Sequence, residues 1–273
     1  MQKISRTALS ALVPALVSML VYTDAWSRTL QQIRTQGSVN VGVALSSPWV
    51  IRRSDGELVG FEVDVAKRLA RDLQVEPKII VLDWDKLIPA LESGQIDVIA
   101  AGLNATPDRA LHVNFSRPYA TGGIGLATHL ANTADVHRLE DLNSSAYRIA
   151  VVEGSVAVAL AKSVLSQTRI QTFADENAAA AALVAGDVDG YLEDEPVPTF
   201  LALEHPTKID VPLARPLLET RSAFAVAKGD PDFVFFLNTW IDAHEADTWL
   251  PTSHGYWFES LRWQDQLTNG QSR

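Results

Sequence analysis

The sequence predicts an α/β protein of two lobes, each with a mainly parallel central sheet flanked by helices, joined by a hinge of two crossings. Three observations predict it. Residues 39–101 read β-α-β-α-β, residues 147–192 repeat that order, and a glycine-bearing extended stretch, residues 120–127, lies between them. Strands that alternate with helices imply a parallel sheet with right-handed crossovers.

The elements follow in order. Val39 to Val43 alternates and then turns fully apolar, as a strand does. Asp55-Gly56 marks a turn within a hairpin or loop. Phe61 to Asp72 places Val65, Ala66, Leu69 and Ala70 on one helical face. Lys78 to Leu82 is a second strand. Asp85 to Ser93 is a helix stopped by Gly94, and Ile96 to Ala101 is a third strand, apolar enough for burial on both faces. In the second unit, strands are expected at Tyr147–Val152, Arg169–Phe173 and Val188–Leu192. Helices are expected at Ser155–Leu165 and Asn177–Ala185, the latter stopped by Gly186. Ala223 to Val226 offers a short strand that crosses back. Asp230 opens a helix with Phe233, Phe236, Leu237, Trp240 and Ile241 at helical spacing, and the aromatic tail beyond it is expected to pack onto the first lobe. The resulting division is residues 1–25 as an export signal, 26–121 with 222–273 as a discontinuous first lobe, and 122–221 as the second.

Composition narrows the function classes. The chain has 273 residues, 47% apolar and 21% charged, which is ordinary for a soluble globular protein. A net charge of −10 without a basic patch speaks against nucleic-acid binding. The absence of cysteine excludes thiol catalysis, Cys-ligated zinc, disulfides and a lipid-modified cysteine anchor. The six histidines, at 112, 129, 137, 205, 244 and 254, have no close pair at metal-ligand spacing, and no Gly-x-Ser-x-Gly occurs, so neither a metal nor a cofactor is expected. At the N-terminus, Lys3 and Arg6 precede an apolar run from Ala8 to Tyr22 that is broken by Pro14. The run is shorter than the ~20 residues of a membrane span. Small residues at Thr23 and Ala25 fit cleavage after Ala25, which makes the mature chain one unit more negative.

Ligands of open α/β sheets sit at the carboxyl ends of strands, so the junctions there carry the candidate chemistry. After the third strand comes Gly102-Leu103-Asn104-Ala105-Thr106-Pro107-Asp108-Arg109, where Thr106 caps and Pro107 opens a helix. A cation in that first turn opposes the helix dipole, so Arg109 calls for an anion: a surface Asp or Glu, or a carboxylate gripped through two hydrogen bonds. At Glu153-Gly154-Ser155, free N–H groups at a helix start either hold a carboxylate or form a plain cap. Asp194 ends a buried strand and either accepts from a ligand ammonium or caps the next helix. Trp84, at the end of the second strand, is a cleft wall or a core residue.

Taken in order, these pieces resemble the family 3 solute-binding proteins, the polar amino-acid receptors of ABC importers. The matching runs are Gly60-Phe61-Glu62-Val63-Asp64-Val65, Asp83 to Leu91 with its Leu87-Ile88-Pro89-Ala90-Leu91, Asp97 to Gly102, Thr106 to Arg109, Phe115-Ser116-Arg117-Pro118-Tyr119, Ala150 to Ser155, and Asp189 to Pro196. They span nearly the whole chain after Ala25. The resemblance implies the type II periplasmic-binding fold and a monomer in the periplasm that delivers a small amino acid or related carboxylate to a membrane permease. It also implies roles. Arg109 would bind the ligand carboxylate, helped by Ser155 and the Gly154 backbone. Asp194 would bind the ammonium, Trp84 would form an apolar wall, and Gly102 and Asn104 would offer polar contacts. Hinge closure would flex the crossings near residues 120–123 and 221–223.

The sequence departs from the family at Ala44-Leu45-Ser46-Ser47-Pro48-Trp49, where an aspartate and an aromatic residue are usual before Pro-Phe, and at Asn104, where Ser or Thr is usual. Glu153 and Glu193 either favour a cationic side chain or face water. Two other readings share the fold. One is a cyclohexadienyl dehydratase-like lyase, whose expected glutamate is Val197 here, with Glu195 on another helix face. The other is a sensor or accessory binding protein that does not serve transport.

Overall fold

The computed structural model describes residues 27–136, 138–260, 262–264 and 267. The expected export segment, its cleavage point at Ala25 and His137 lie outside them.

The first lobe begins with helix α1 (Leu30–Gln36), strand β1 (Ser38–Val43) and a small hairpin, β2 (Ile51–Arg52) and β3 (Leu58–Val59). It continues with α2 (Phe61–Leu73), β4 (Glu76–Val81), α3 (Leu87–Glu92), β5 (Val98–Ile99) and α4 (Pro107–Ala110). Strand β6 (Val113–His129) then runs into the second lobe, made of β7 (Arg148–Val152), α5 (Val156–Val164), β8 (Arg169–Phe173), α6 (Glu176–Ala185), β9 (Gly190–Asp194), α7 (Val197–Glu204) and β10 (Ile209–Asp210). Strand β11 (Leu218–Ala227) returns to the first lobe, which α8 (Pro231–Ala246) and α9 (Trp249–Phe258) complete.

Local chemistry sets the helix ends. The Thr29 hydroxyl and the Gln32 side chain close a capping box on α1. Thr106 accepts from the Arg109 N–H with Pro107 at N1 of α4, and Asp175 accepts from the Ala178 N–H at the start of α6. Gly186 ends α6 at φ 79°, a left-handed position that glycine adopts without penalty.

The parallel trios follow the predicted crossovers. Strands β4, β1 and β5 pair parallel in one lobe, and β8, β7 and β9 do so in the other. Each lobe thus has the mainly parallel sheet expected of it. Among the described residues the sheets fuse into one, ordered β4-β1-β5-β11-β6-β9-β7-β8, with β10 on β6. The fusion is made by β6 and β11, which pair antiparallel from Ile124↔Leu218 to Val113↔Ala227. Each trio therefore has an antiparallel strand on its inner edge, β11 against β5 and β6 against β9. The register of β11 shifts between Ser222 and Ala225, as a bulge does. The returning strand, expected at Ala223 to Val226, is thus the end of a longer one.

Each lobe has its own core. In the first, α2, α8 and α9 cover one sheet face through Phe61, Tyr119, Phe224, Trp240 and Trp257, and α3 covers the other through Leu87 and Leu91. In the second, α5 packs over Ile149 and Leu192, and α6 over Ala150 and Tyr191. The aromatic tail lies on the first lobe, as expected. Among the described residues no helix is long and apolar enough to cross a membrane.

Candidate ligand-binding site

The carboxyl ends of six parallel strands, three from each lobe, face one cavity of about 490 Å³. A volume of this size suits a small molecule. The segments after β1, β4 and β5 line one side, and those after β7 and β8 and the end of β9 line the other.

Of the eight sequence-predicted residues, the structure brings Trp84, Gly102, Asn104, Ser155, Glu193 and Asp194 onto the cavity wall. Arg109 and Gly154 are not among its lining residues. They meet behind Trp84, where Arg109 Nη2 donates to the Gly154 carbonyl at 2.9 Å. Nη1 donates to the Asn104 carbonyl at 2.8 Å, and the guanidinium lies 5.7 Å from the Trp84 ring centroid. The expected anionic partner of Arg109 is replaced by two carbonyls and a ring face. Burial holds the Arg109 pKa below its usual value, opposed by the charge of Asp194.

Asp194 ends β9, where Ile124 of β6 is its partner. It accepts from Thr220 Oγ1 at 2.8 Å and from Asn104 Nδ2 at 3.4 Å. Burial raises its pKa to about 6 against those hydrogen bonds and the Arg109 charge. The next residue inward, Glu193, accepts from the Tyr191 hydroxyl at 2.8 Å and the Asp194 N–H at 2.9 Å. Burial, then the like charges of Asp194 and Glu176, push its pKa to about 8.

Asn104 is held by a bridge to Ser222 of β11 and is 6% exposed. Its Oδ1 is buried without a hydrogen-bond partner, and so is the Ser155 hydroxyl. Ser155 stands at the N-cap of α5, yet its side chain makes no cap bond. Gly102 adopts φ 65°, and a Cβ there would come within 3.0 Å of the Trp49 ring. Glycine thus serves both the left-handed turn and the stacked indole. The Gly102 N–H donates to Glu62 at 2.7 Å beneath the cavity floor.

Of the lining residues outside the sequence-predicted set, Trp49, Ser46 and Glu176 bear most on the site. Trp49 forms the floor, in edge contact with Phe61 and Phe258. Ser46 reaches across the cleft and donates to Glu176 of the opposite lobe. Burial, moderated by bonds from Ser46 and the Ser47 backbone, raises the Glu176 pKa to about 7. Both positions follow strands β1 and β8, so the strand-end rule that marks Asp194 was also the signal for them. Seven lining residues are Asp or Glu and one is Lys. That lysine, Lys86, is exposed and bonded to Asp85. Among the described residues no cluster of His, Asp or Glu is arranged to hold a metal ion.

Comparison with known proteins gives a consistent result. The family model described as bacterial extracellular solute-binding proteins, family 3, matches residues 39–260. The L-cystine-binding protein TcyJ of Escherichia coli (strain K12) is 26% identical over 250 residues, covering 90% of this chain and 92% of that protein. Among solved structures, a putative binding component of an ABC transporter from Wolinella succinogenes DSM 1740, complexed with lysine, superposes with a TM-score of 0.79 at 27% identity, over 84% of this chain and 99% of that one. The ancestral amino acid-binding protein AncCDT-1, described as a precursor of cyclohexadienyl dehydratase, gives 0.76 at 29% identity, over 84% and 98%.

Proposed function

The chain belongs to the bacterial extracellular solute-binding proteins of family 3, and on that premise we propose that it captures a small amino acid or related carboxylate between its lobes and delivers it to an ABC importer. The observation that carries this reading is the pair of buried, unpartnered polar atoms, Asn104 Oδ1 and Ser155 Oγ, on residues that line one cavity from opposite lobes, as Asp194 does. A buried polar atom without a partner costs about 1–3 kcal/mol, and a ligand bonded to both lobes removes that cost only when they are together.

In this reading Asp194 takes the ligand ammonium, with Asn104 Oδ1 as a second acceptor. Ser155 and the N-terminus of α5 face the carboxylate, and Arg109 supports them from behind Trp84. Trp49 and Trp84 wall the apolar part. Residues 26–121 and 222–273 form one body and 122–221 the other. They close by flexing the paired crossings, and the ligand shifts the population through its preference for the closed state. The mature protein is a periplasmic monomer cut near Ala25, and its partner is the importer's membrane permease. The non-catalytic reading is supported at the lyase position, where Val197 is 5% exposed within a hydrophobic cluster. Glu195 is bonded to Thr199 and is not a lining residue.

A thermal-shift screen of the natural amino acids and related carboxylates tests the proposal. A ligand at a hundred times its dissociation constant adds about 2.7 kcal/mol of stability. A hit that Asp194→Asn abolishes supports the assignment. A folded protein that responds to none of them overturns it.

A further inference from the structure

We propose that Glu176 and Glu193, with Ser46, form a subsite for the ligand's side chain, and that the side chain it takes is cationic. This rests on the amino-acid reading above and adds the ligand class to it.

Three observations meet here. First, Glu176, Glu193 and Asp194 all line the cavity from the second lobe, and among the described residues none of them is ion-paired within 4 Å. Their bonds come from neutral donors: the hydroxyls of Ser46, Tyr191 and Thr220, the Asn104 amide and backbone N–H groups. Burial raises the pKa of each of the three, and the charge of Asp194 adds to the rise at Glu176 and Glu193. With an α-ammonium placed on Asp194, Glu176 and Glu193 still have only neutral donors, and a cationic side chain beside them would favour their charged forms.

Second, Asn104 points to a donor independently of the acids. Its Oδ1 can only accept, is buried and has no partner, while its Nδ2 is committed to Asp194. The occupant of that end of the cavity therefore brings N–H or O–H groups, as an ammonium does. Third, the two ends are chemically distinct. Asp194 is bound to the hinge side through Thr220 of β11. Glu176 opens α6 and is bonded across the cleft to Ser46, in the segment after β1. An ammonium at Asp194 and a second cation at Glu176 and Glu193 describe an amino acid of the lysine, ornithine or arginine type. The second lobe supplies both counter-charges, and Trp49 and Trp84 flank the stem between them.

Titration calorimetry of the mature protein with L-lysine, L-ornithine, L-arginine, L-glutamine and L-glutamate tests the inference. At least one cationic amino acid should bind about tenfold or more tightly than glutamine, as expected for hydrogen bonds to a charged group. Glu176→Gln should lower that affinity about tenfold, several-fold more than it lowers the affinity for glutamine. Ser46→Ala keeps the carboxylate and should cost less than Glu176→Gln. Glutamine or glutamate binding more tightly than all three cations overturns the cationic subsite while leaving the amino-acid reading intact. An equal loss for lysine and glutamine in Glu176→Gln assigns Glu176 a purely structural role and overturns it as well. Failure of all five to bind sinks the underlying reading instead.

Discussion

The first lobe buries rings: Phe61, Tyr119, Phe224 and Trp240 follow one another through stacked and edge contacts, and Trp257 lies in the same core, with α8 and α9 wrapped over them. The second lobe packs mainly alanine and aliphatic side chains around Tyr191, its one fully buried ring among the described residues. At the cavity the roles reverse. The first lobe presents indoles, an amide and a hydroxyl, and its own acids there, Asp83 and Asp85, are exposed. The second lobe presents the shielded carboxyls Glu176, Glu193 and Asp194. One architecture thus serves two tasks: a heavily packed body that shapes the cavity, and a lighter one that supplies its charge.

Substitutions sharpen this contrast. Phe224→Ala should cost about 3–5 kcal/mol of stability, the usual range for removing a buried ring. Leu183→Ala in the second lobe should cost about 2–5 kcal/mol, and denaturant unfolding of both variants would show whether the lobes melt together. Asp194→Asn should weaken ligand binding by about 2–5 kcal/mol, from 30-fold to several thousand-fold, while the protein stays folded. Calorimetry checks this, and retained affinity would remove Asp194 from the site.

The acids also set a pH dependence. Glu176, Glu193 and Asp194 have folded-state pKa values of about 7, about 8 and about 6, and Glu62 in the first lobe about 7, all above their usual values. A raised carboxyl pKa means that the folded state binds more protons than the unfolded one, so stability falls as pH rises through that window. The melting temperature of the unliganded protein should therefore drop between about pH 5 and pH 8. Glu193→Gln should flatten the slope and alter binding. Glu62→Gln should flatten it with little effect on binding, because Glu62 lies under Gly102 and does not line the cavity. A slope unchanged by both substitutions would break the link between burial and titration.

Local rules carried the sequence reading far. Thr106 before Pro107, and Gly94 and Gly186 after their helices, mark ends that the structure keeps within a residue or two. The glycine-bearing stretch expected to be extended, residues 120–127, lies within the longer strand β6. Its glycines stand where neighbours press close: a Cβ on Gly123 would lie 2.5 Å from Pro216, and one on Gly125 would lie 2.0 Å from the Glu195 carboxylate. Crowding by residues distant in sequence leaves no local trace. The same holds for Ser46 and Glu176, 130 positions apart, which become one feature only when the lobes face each other. Arg109 shows the converse. Its dipole argument called for an anion, and carbonyls on both sides of the cleft answer instead.

The fused sheet carries one more consequence. The two crossings are bonded to each other rung by rung, through pairs such as Ala120↔Ser222 and Thr121↔Arg221. They act as a leaf spring rather than two loose tethers. A ribbon of two paired strands bends readily across its face and resists shear along its length, because shear breaks every rung. Paired in this way, the crossings favour a swing of one lobe across the ribbon's face over a slide along its length.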